Sequence, residues 1–165
     1  MISLSISDPG EALDRMCSAL RTLGSKTLQV GLVGAGGSAA DHAALLEHGS
    51  PAQGVPGRPF FDAATGSAYV LDPVTEGFTA ALEAAVSGDE AGVTAALEAA
   101  GAAAADGIRA WFDAELGPPN APITVSGGWM RNRISGKPFY ISGKGFNRPG
   151  YDSGALYNAF TYELK

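Results

Sequence analysis

Apolar positions recur at helical spacing in two stretches of the first fifty residues and through the alanine-rich middle of the chain, with strand-like runs at residues 27–33 and near its end. Leu13, Met16, Cys17 and Leu20 fall on one helical face. Asp8-Pro9-Gly10-Glu11 supplies the start of that helix, because Asp8 can accept orphan amides, Pro9 suits the first helical position and Glu11 stands where a capping box needs an acid. Gly24 offers a left-handed end. The stripe predicts that Cys17 is a small core residue, since its helical neighbours are apolar and no histidine lies near it in sequence. Residues 27–33 read as a strand, and residues 38–48 as a short helix closed by Gly49-Ser50-Pro51.

A Pro- and Gly-rich loop, residues 49–62, leads to an alanine-rich run over residues 74–116. Its stripes are Phe78, Leu82, Ala85 and Val86; then Val93, Ala96, Leu97 and Ala100; then Ala104, Ile108, and Trp111 or Phe112. One helix and two shorter ones are expected, joined near Ser87 and Gly101, because a glycine inside a helix costs about 1 kcal/mol against alanine. Gly117-Pro118-Pro119-Asn120-Ala121-Pro122 ends the helical region. Beyond it, residues 129–134 and 138–142, separated by Ser135-Gly136-Lys137, form a predicted hairpin, and residues 156–164 a terminal strand. The expected fold class is α+β: a small, mainly antiparallel sheet packed by helices, with an extended C-terminal β-hairpin arm.

Charge divides the same chain differently. The net charge is −6, yet residues 1–116 hold five Lys/Arg against fifteen Asp/Glu, a net of −10, while residues 117–165 hold six against two, a net of +4. Eight of the fourteen aromatics also lie after Gly117. This divides a single domain into an acidic α+β body, 1–116, and a basic aromatic hairpin or arm with the terminal strand, 117–165. A single cysteine excludes an intrachain disulfide framework, and no apolar run approaches the roughly 18 residues of a membrane helix. The N-terminus lacks a basic start and a long apolar run, so the expectation is a soluble protein made in a cytosol, with no membrane partner.

Gly34, Gly36 and Ala39 fit the G-x-G-x-x-G/A turn of a dinucleotide site, which would make the chain an NAD(P)-binding, Rossmann-like enzyme. That reading needs a second parallel strand ending in an acid about 20 residues on, where this chain has Pro51, Pro56 and Pro59, and the first acid after Glu47 is Asp62. The favoured expectation is that Gly34, Gly36 and Gly37 shape a strand end, with no cofactor. Asp41, His42, Glu47 and His48 invite a metal reading, but the histidines are six apart and cannot share a helical face, so no metal is expected. No serine stands in a G-x-S-x-G elbow. The basic residues Arg131, Arg133, Lys137, Lys144 and Arg148 interleave with Trp129, Phe139, Tyr140 and Phe146, the mixture used either for phosphate contact with base stacking or for an arm docking on an acidic neighbour. The arm is favoured, because the chain as a whole is acidic.

Three ordered segments carry a family resemblance. AADHAALLEHGSPAQGVPGRPFFDAA, AAGAAAADGIRAWFDAELGPPNAPITV and YDSGALYNAFTYEL resemble, in order and approximate spacing, segments of the virion morphogenesis, or tail completion, proteins of tailed phages. The likeness runs from about Ala39 to the C-terminus; it departs in Ser153, where the family has Thr, and in the long stretch between Pro122 and Asp152, where the family has a short link. The resemblance implies a non-enzymatic virion subunit of the tail or neck, assembled in the host cytoplasm. It implies a homo-oligomeric ring, hexameric by analogy, that touches other tail and connector proteins and lets DNA pass without reading its sequence. A tail-terminator ring is the neighbouring alternative. Within this reading Arg58, Pro59, Phe60 and Phe61 form an anchor into the core or an interface, Pro119, Asn120 and Pro122 launch the hairpin, and Asp152 with Gly154 turns the chain into its last element.

Overall fold

The structure, a computed structural model, describes residues 9–151 and 153–165. The expected capping role of Asp8 and turn role of Asp152 lie outside the described residues. The described part is α+β: seven helices and two separate two-stranded antiparallel sheets.

Helices α4 (Ala68–Ser87) and α5 (Glu90–Glu115) form the spine, an antiparallel pair turned at Gly88-Asp89. Asp89 caps α5 by accepting the Gly92 amide at 2.8 Å. The alanine-rich composition has its reason in this seam: Ala81, Ala100 and Ala104 are fully buried, and Gly77 lies directly against Ala100. Small side chains let the two backbones approach closely. At Pro73 the helix lacks the amide that would bond the Tyr69 carbonyl, and Gly107 of α5 backs onto that same carbonyl group.

Helix α5 does not break at Gly101, contrary to the helical propensities. The Tyr162 ring and the Leu28 side chain lie where a side chain at position 101 would be, with Tyr162 Cδ2 at 2.5 Å and Leu28 Cδ1 at 2.8 Å from an added Cβ. Glycine there seats the sheet on the helix. That sheet pairs β1 (Leu28–Gly31) with β4 (Thr161–Leu164), Leu28 opposite Leu164 and Val30 opposite Tyr162.

Helix α1 (Pro9–Gly24) packs on α4 through Ala19, the reverse of the expected burial. Leu13, Met16 and Leu20 are more than half exposed, and Cys17 is exposed rather than in the core. The surface that receives α1 is alanine-lined, so the small face of the helix docks closest and the large apolar residues remain outside. Helix α2 (Ser38–His48), a 3₁₀ turn (Pro51–Gln53) and the short α3 (Phe61–Thr65) then lead into α4, which begins six residues before the expected start. After α6 (Pro122–Ser126) come the hairpin strands β2 (Gly128–Arg131) and β3 (Pro138–Ile141), and α7 (Ala155–Ala159) before β4. Residues 155–159 are thus helical, not strand, and Leu156 and Phe160, four apart, both reach the core.

The main core gathers Phe60, Phe112 and Phe160 with Val70, Ile108 and Leu156. Ring centroids stand 5.4 Å apart for Phe60–Phe112 and 6.0 Å for Phe60–Phe160, with edge-to-face tilts. A second cluster, Ala81, Val93 and Leu97 with Leu23 and Leu164, fills the space under α1. Among the described residues no helix is long and apolar enough to cross a membrane.

Candidate functional site

The hairpin is built on a backbone-to-backbone contact. Gly127 and Gly143 face each other at its base, where a Cβ on Gly127 would stand 2.7 Å from the Gly143 amide nitrogen. Below them Lys144 and Gly145 donate to the Thr124 and Val125 carbonyls at 3.0 and 2.9 Å. Above them Trp129 pairs with Tyr140 and Met130 with Phe139. The Asn132 side chain closes the turn by accepting the Ile134 and Ser135 amides, both at 2.9 Å. Strand alternation sets two faces. Met130 and Phe139 share one side with Gly128, which rests on Ile123; Trp129 and Tyr140 share the other, 73% and 60% exposed, their rings edge to face at 5.6 Å. Arg131, Arg133 and Lys137 are exposed, with the Arg133 guanidinium lying over Gly54.

The rest of the basic aromatic run does not travel with the hairpin. Lys144 Nζ donates to the Tyr151 carbonyl at 2.8 Å, and Phe146 meets the Tyr151 ring at 5.9 Å. Arg148 ion-pairs with Asp113 of α5 and lies over the Tyr151 and Tyr157 rings, 4.7 and 5.4 Å from their centroids. This corrects the sequence-based arm: residues 128–141 project, while Lys144, Phe146 and Arg148 pack within the chain. The hydrogen bond to Asp113 raises the Arg148 pKa above its already high ordinary value. Burial, and then the hydrogen bond that Tyr157 donates to Asp113 at 3.1 Å, raises the Tyr157 phenol above its usual range.

A pH prediction follows from Tyr157. Its folded pKa exceeds the unfolded value of 10.0, so its contribution to stability is fully present below pH 10 and is lost as pH rises through the folded pKa. Tyr157→Phe is expected to melt below the wild-type protein at pH 9, and the gap to narrow as the pH rises past 10 and through the raised folded pKa. Melting curves that fall in parallel over this range would refute the assignment.

Of the Arg58-Pro59-Phe60-Phe61 anchor, Arg58 and Phe60 belong to the core, while Pro59 and Phe61 are exposed. Arg58 is buried, donates from Nε to the Pro118 carbonyl at 2.9 Å and from Nη2 to the Pro119 carbonyl at 3.4 Å, and has its pKa lowered by that burial. Glu47 Oε2 accepts the Phe60 and Phe61 amides at 2.9 and 3.2 Å, so α2 holds the segment from the other side. Phe61 lies beneath Gly31, and Pro59 is exposed. On the launching turn, the Asn120 amide donates to Asn147 Oδ1 at 2.9 Å, and Pro122 opens α6, which stands between that turn and β2.

A cleft of about 260 Å³ at the foot of the hairpin is lined by His42, Arg58, Asn120, Lys144, Ser153 and Leu156. Ser153 Oγ accepts the Ala155 amide at 3.3 Å, and Gly154 accepts the Asn158 amide at 2.9 Å; both serve the start of α7. His42 and His48 are exposed, and no group of three or more His, Cys, Asp or Glu gathers to hold an ion among the described residues. Gly34, Gly36 and Gly37 lie in the loop between β1 and α2, exposed, with no other atom near a would-be Cβ. Gly34 and Gly37 have φ of 67° and 61°, so backbone conformation accounts for glycine at those two positions. The partner of β1 is the antiparallel β4, whereas a dinucleotide crevice is built between parallel strands.

One surface that the sequence reading does not single out lies on α4. Helix α4 turns Val70, Ala81 and its glycine inward and leaves Leu71, Phe78, Leu82 and Val86 exposed along one line. Asp72, Glu76 and Glu83 form an acidic row beside that line, with no Lys or Arg anywhere in the helix. Two apolar faces on one helix, one of alanines and one of larger residues, are the sign in the sequence that packing within the chain does not use both. No family model, curated protein or solved structure matches the chain, so its functional reading rests on these surfaces and on the resemblance of its three segments.

Proposed function

We propose that the chain is a structural, non-enzymatic subunit of a tailed-phage virion, a tail completion or neck protein that assembles with copies of itself into a ring at the head-tail junction. One observation carries the reading: a hairpin that exposes Trp129 and Tyr140 beside Arg131 and Lys137, on a body whose other surface is acidic and partly apolar. Exposed aromatics with one sign of charge suit a protein interface. The three ordered motifs supply the virion context. A ring subunit uses both features, because closing a circle requires two different surfaces on each copy that fit each other.

The test has two readings of mass and place. Light scattering of the purified chain is expected to give a multiple of one subunit, and negative-stain images closed rings. Antibody raised to the chain is expected to decorate phage particles between head and tail. A strictly monomeric protein, or decoration elsewhere on the particle, would overturn the proposal.

A further inference from the structure

We infer that the outer face of α4 is the receptor for the β2–β3 hairpin of a second copy of this chain. The inference rests on the proposal that the chain self-assembles, and adds which surface meets which. The two surfaces are complementary in pattern. Helix α4 presents Leu71, Phe78, Leu82 and Val86 flanked by Asp72, Glu76 and Glu83, without a single basic residue. The hairpin, residues 128–141, presents Trp129 and Tyr140 on its more exposed face, with Arg131 beside them and Ile134 and Lys137 at the turn, and holds no acidic residue. Each is an apolar strip edged by charge, and the charges are opposite.

Size permits the contact. From Leu71 to Val86 the helix rises about 22 Å, and a four-residue strand runs about 13 Å before its turn, so the hairpin covers a little over two turns within the strip. Aromatics of this size are the anchors on which interfaces concentrate their free energy. Within its own chain α4 packs on α1, α3 and α5, and the Arg133 guanidinium of the hairpin turn lies over Gly54. Hairpin and helix face are different patches, so the contact is head to tail and propagates: copies close into a ring or run on as a filament.

Charge exchange tests this directly. One variant carries Arg131→Glu with Lys137→Glu, the other Glu76→Lys with Glu83→Lys; all four positions are exposed. Each variant alone is expected to self-associate at least about tenfold more weakly than the wild-type protein, and an equimolar mixture to recover assemblies containing both chains. A variant that keeps the wild-type mass, or a mixture that stays dissociated, overturns the inference while leaving self-assembly in place. A wild-type protein that is itself monomeric overturns both. Carbodiimide coupling of the unaltered protein gives a reading independent of the variants: the cross-linked dimer should contain an isopeptide between Lys137 and Glu76 or Glu83, and a dimer lacking it counts against the contact. Salt-sensitive retention on single-stranded DNA that Arg131→Glu with Lys137→Glu abolishes, with the oligomer mass unchanged, assigns the hairpin to nucleic acid instead.

Discussion

Phe60→Ala is expected to lower the unfolding free energy by about 3 to 5 kcal/mol, which for a domain of ordinary stability removes a third or more of the total. The side chain is 1% exposed and its ring meets Phe61, Phe112 and Phe160 within 6.1 Å. Those partners come from α3, from α5 and from the link between α7 and β4, so no single element can move to fill the void. Its backbone amide is bonded to Glu47 and is unaffected by truncation, which isolates the packing loss. Phe61→Ala, with that ring partly exposed, serves as the control and is expected to cost less than half as much. Urea unfolding measures both. A Phe60→Ala loss below about 1.5 kcal/mol would show that the three-ring cluster is not the centre of the core.

The sequence made some of this legible and concealed the rest for identifiable reasons. The ends of α1 and α2 follow from Gly24 and Gly49, since caps and breakers act locally. The hairpin is readable for the same cause: the Asn132 to Lys137 turn needs only its own residues. Gly101 misleads because helix propensity concerns a helix in water, and this one has Tyr162 and Leu28 resting on the missing side chain. Residues 156–160 read as strand from their aromatics, although the four-residue spacing of Leu156 and Phe160 carries the helical signal.

The candidate surface divides in the same way. Trp129, Arg131, Lys137 and Tyr140 stay exposed because their neighbours in sequence are also their neighbours in space. Arg148 and Lys144 have the same residue chemistry, yet Asp113 and the Tyr151 carbonyl claim them, and only the folded chain brings those groups together. The apolar stripe of α1 reads as inward because amphipathic helices normally bury their larger apolar face. Here alanine and glycine occupy the seam, so the larger face is left exposed.

The seam itself supplies the other large effect. Gly107→Ala is expected to destabilise the protein by about 3 kcal/mol, although the same exchange in an ordinary helix interior stabilises by about 1 kcal/mol. The sign reverses because the new methyl group has nowhere to go. It would overlap the Tyr69 carbonyl oxygen and stand 2.7 Å from its carbon, and neither atom belongs to a side chain that could swing away. Relief requires α4 to move off α5 along their principal contact, which costs packing at Gly77–Ala100 and around Ala81 as well. Gly36→Ala, in a loop with no atom near its would-be Cβ and no positive φ, is the matched control and should be close to neutral. Because the displaced helix is the one that carries Leu71, Phe78 and Leu82, Gly107→Ala should also weaken self-association without altering any surface residue. A Gly107→Ala protein as stable as the wild type would mean that the two backbones are farther apart than this seam requires, and the inward-small, outward-large division of α4 would lose its physical basis.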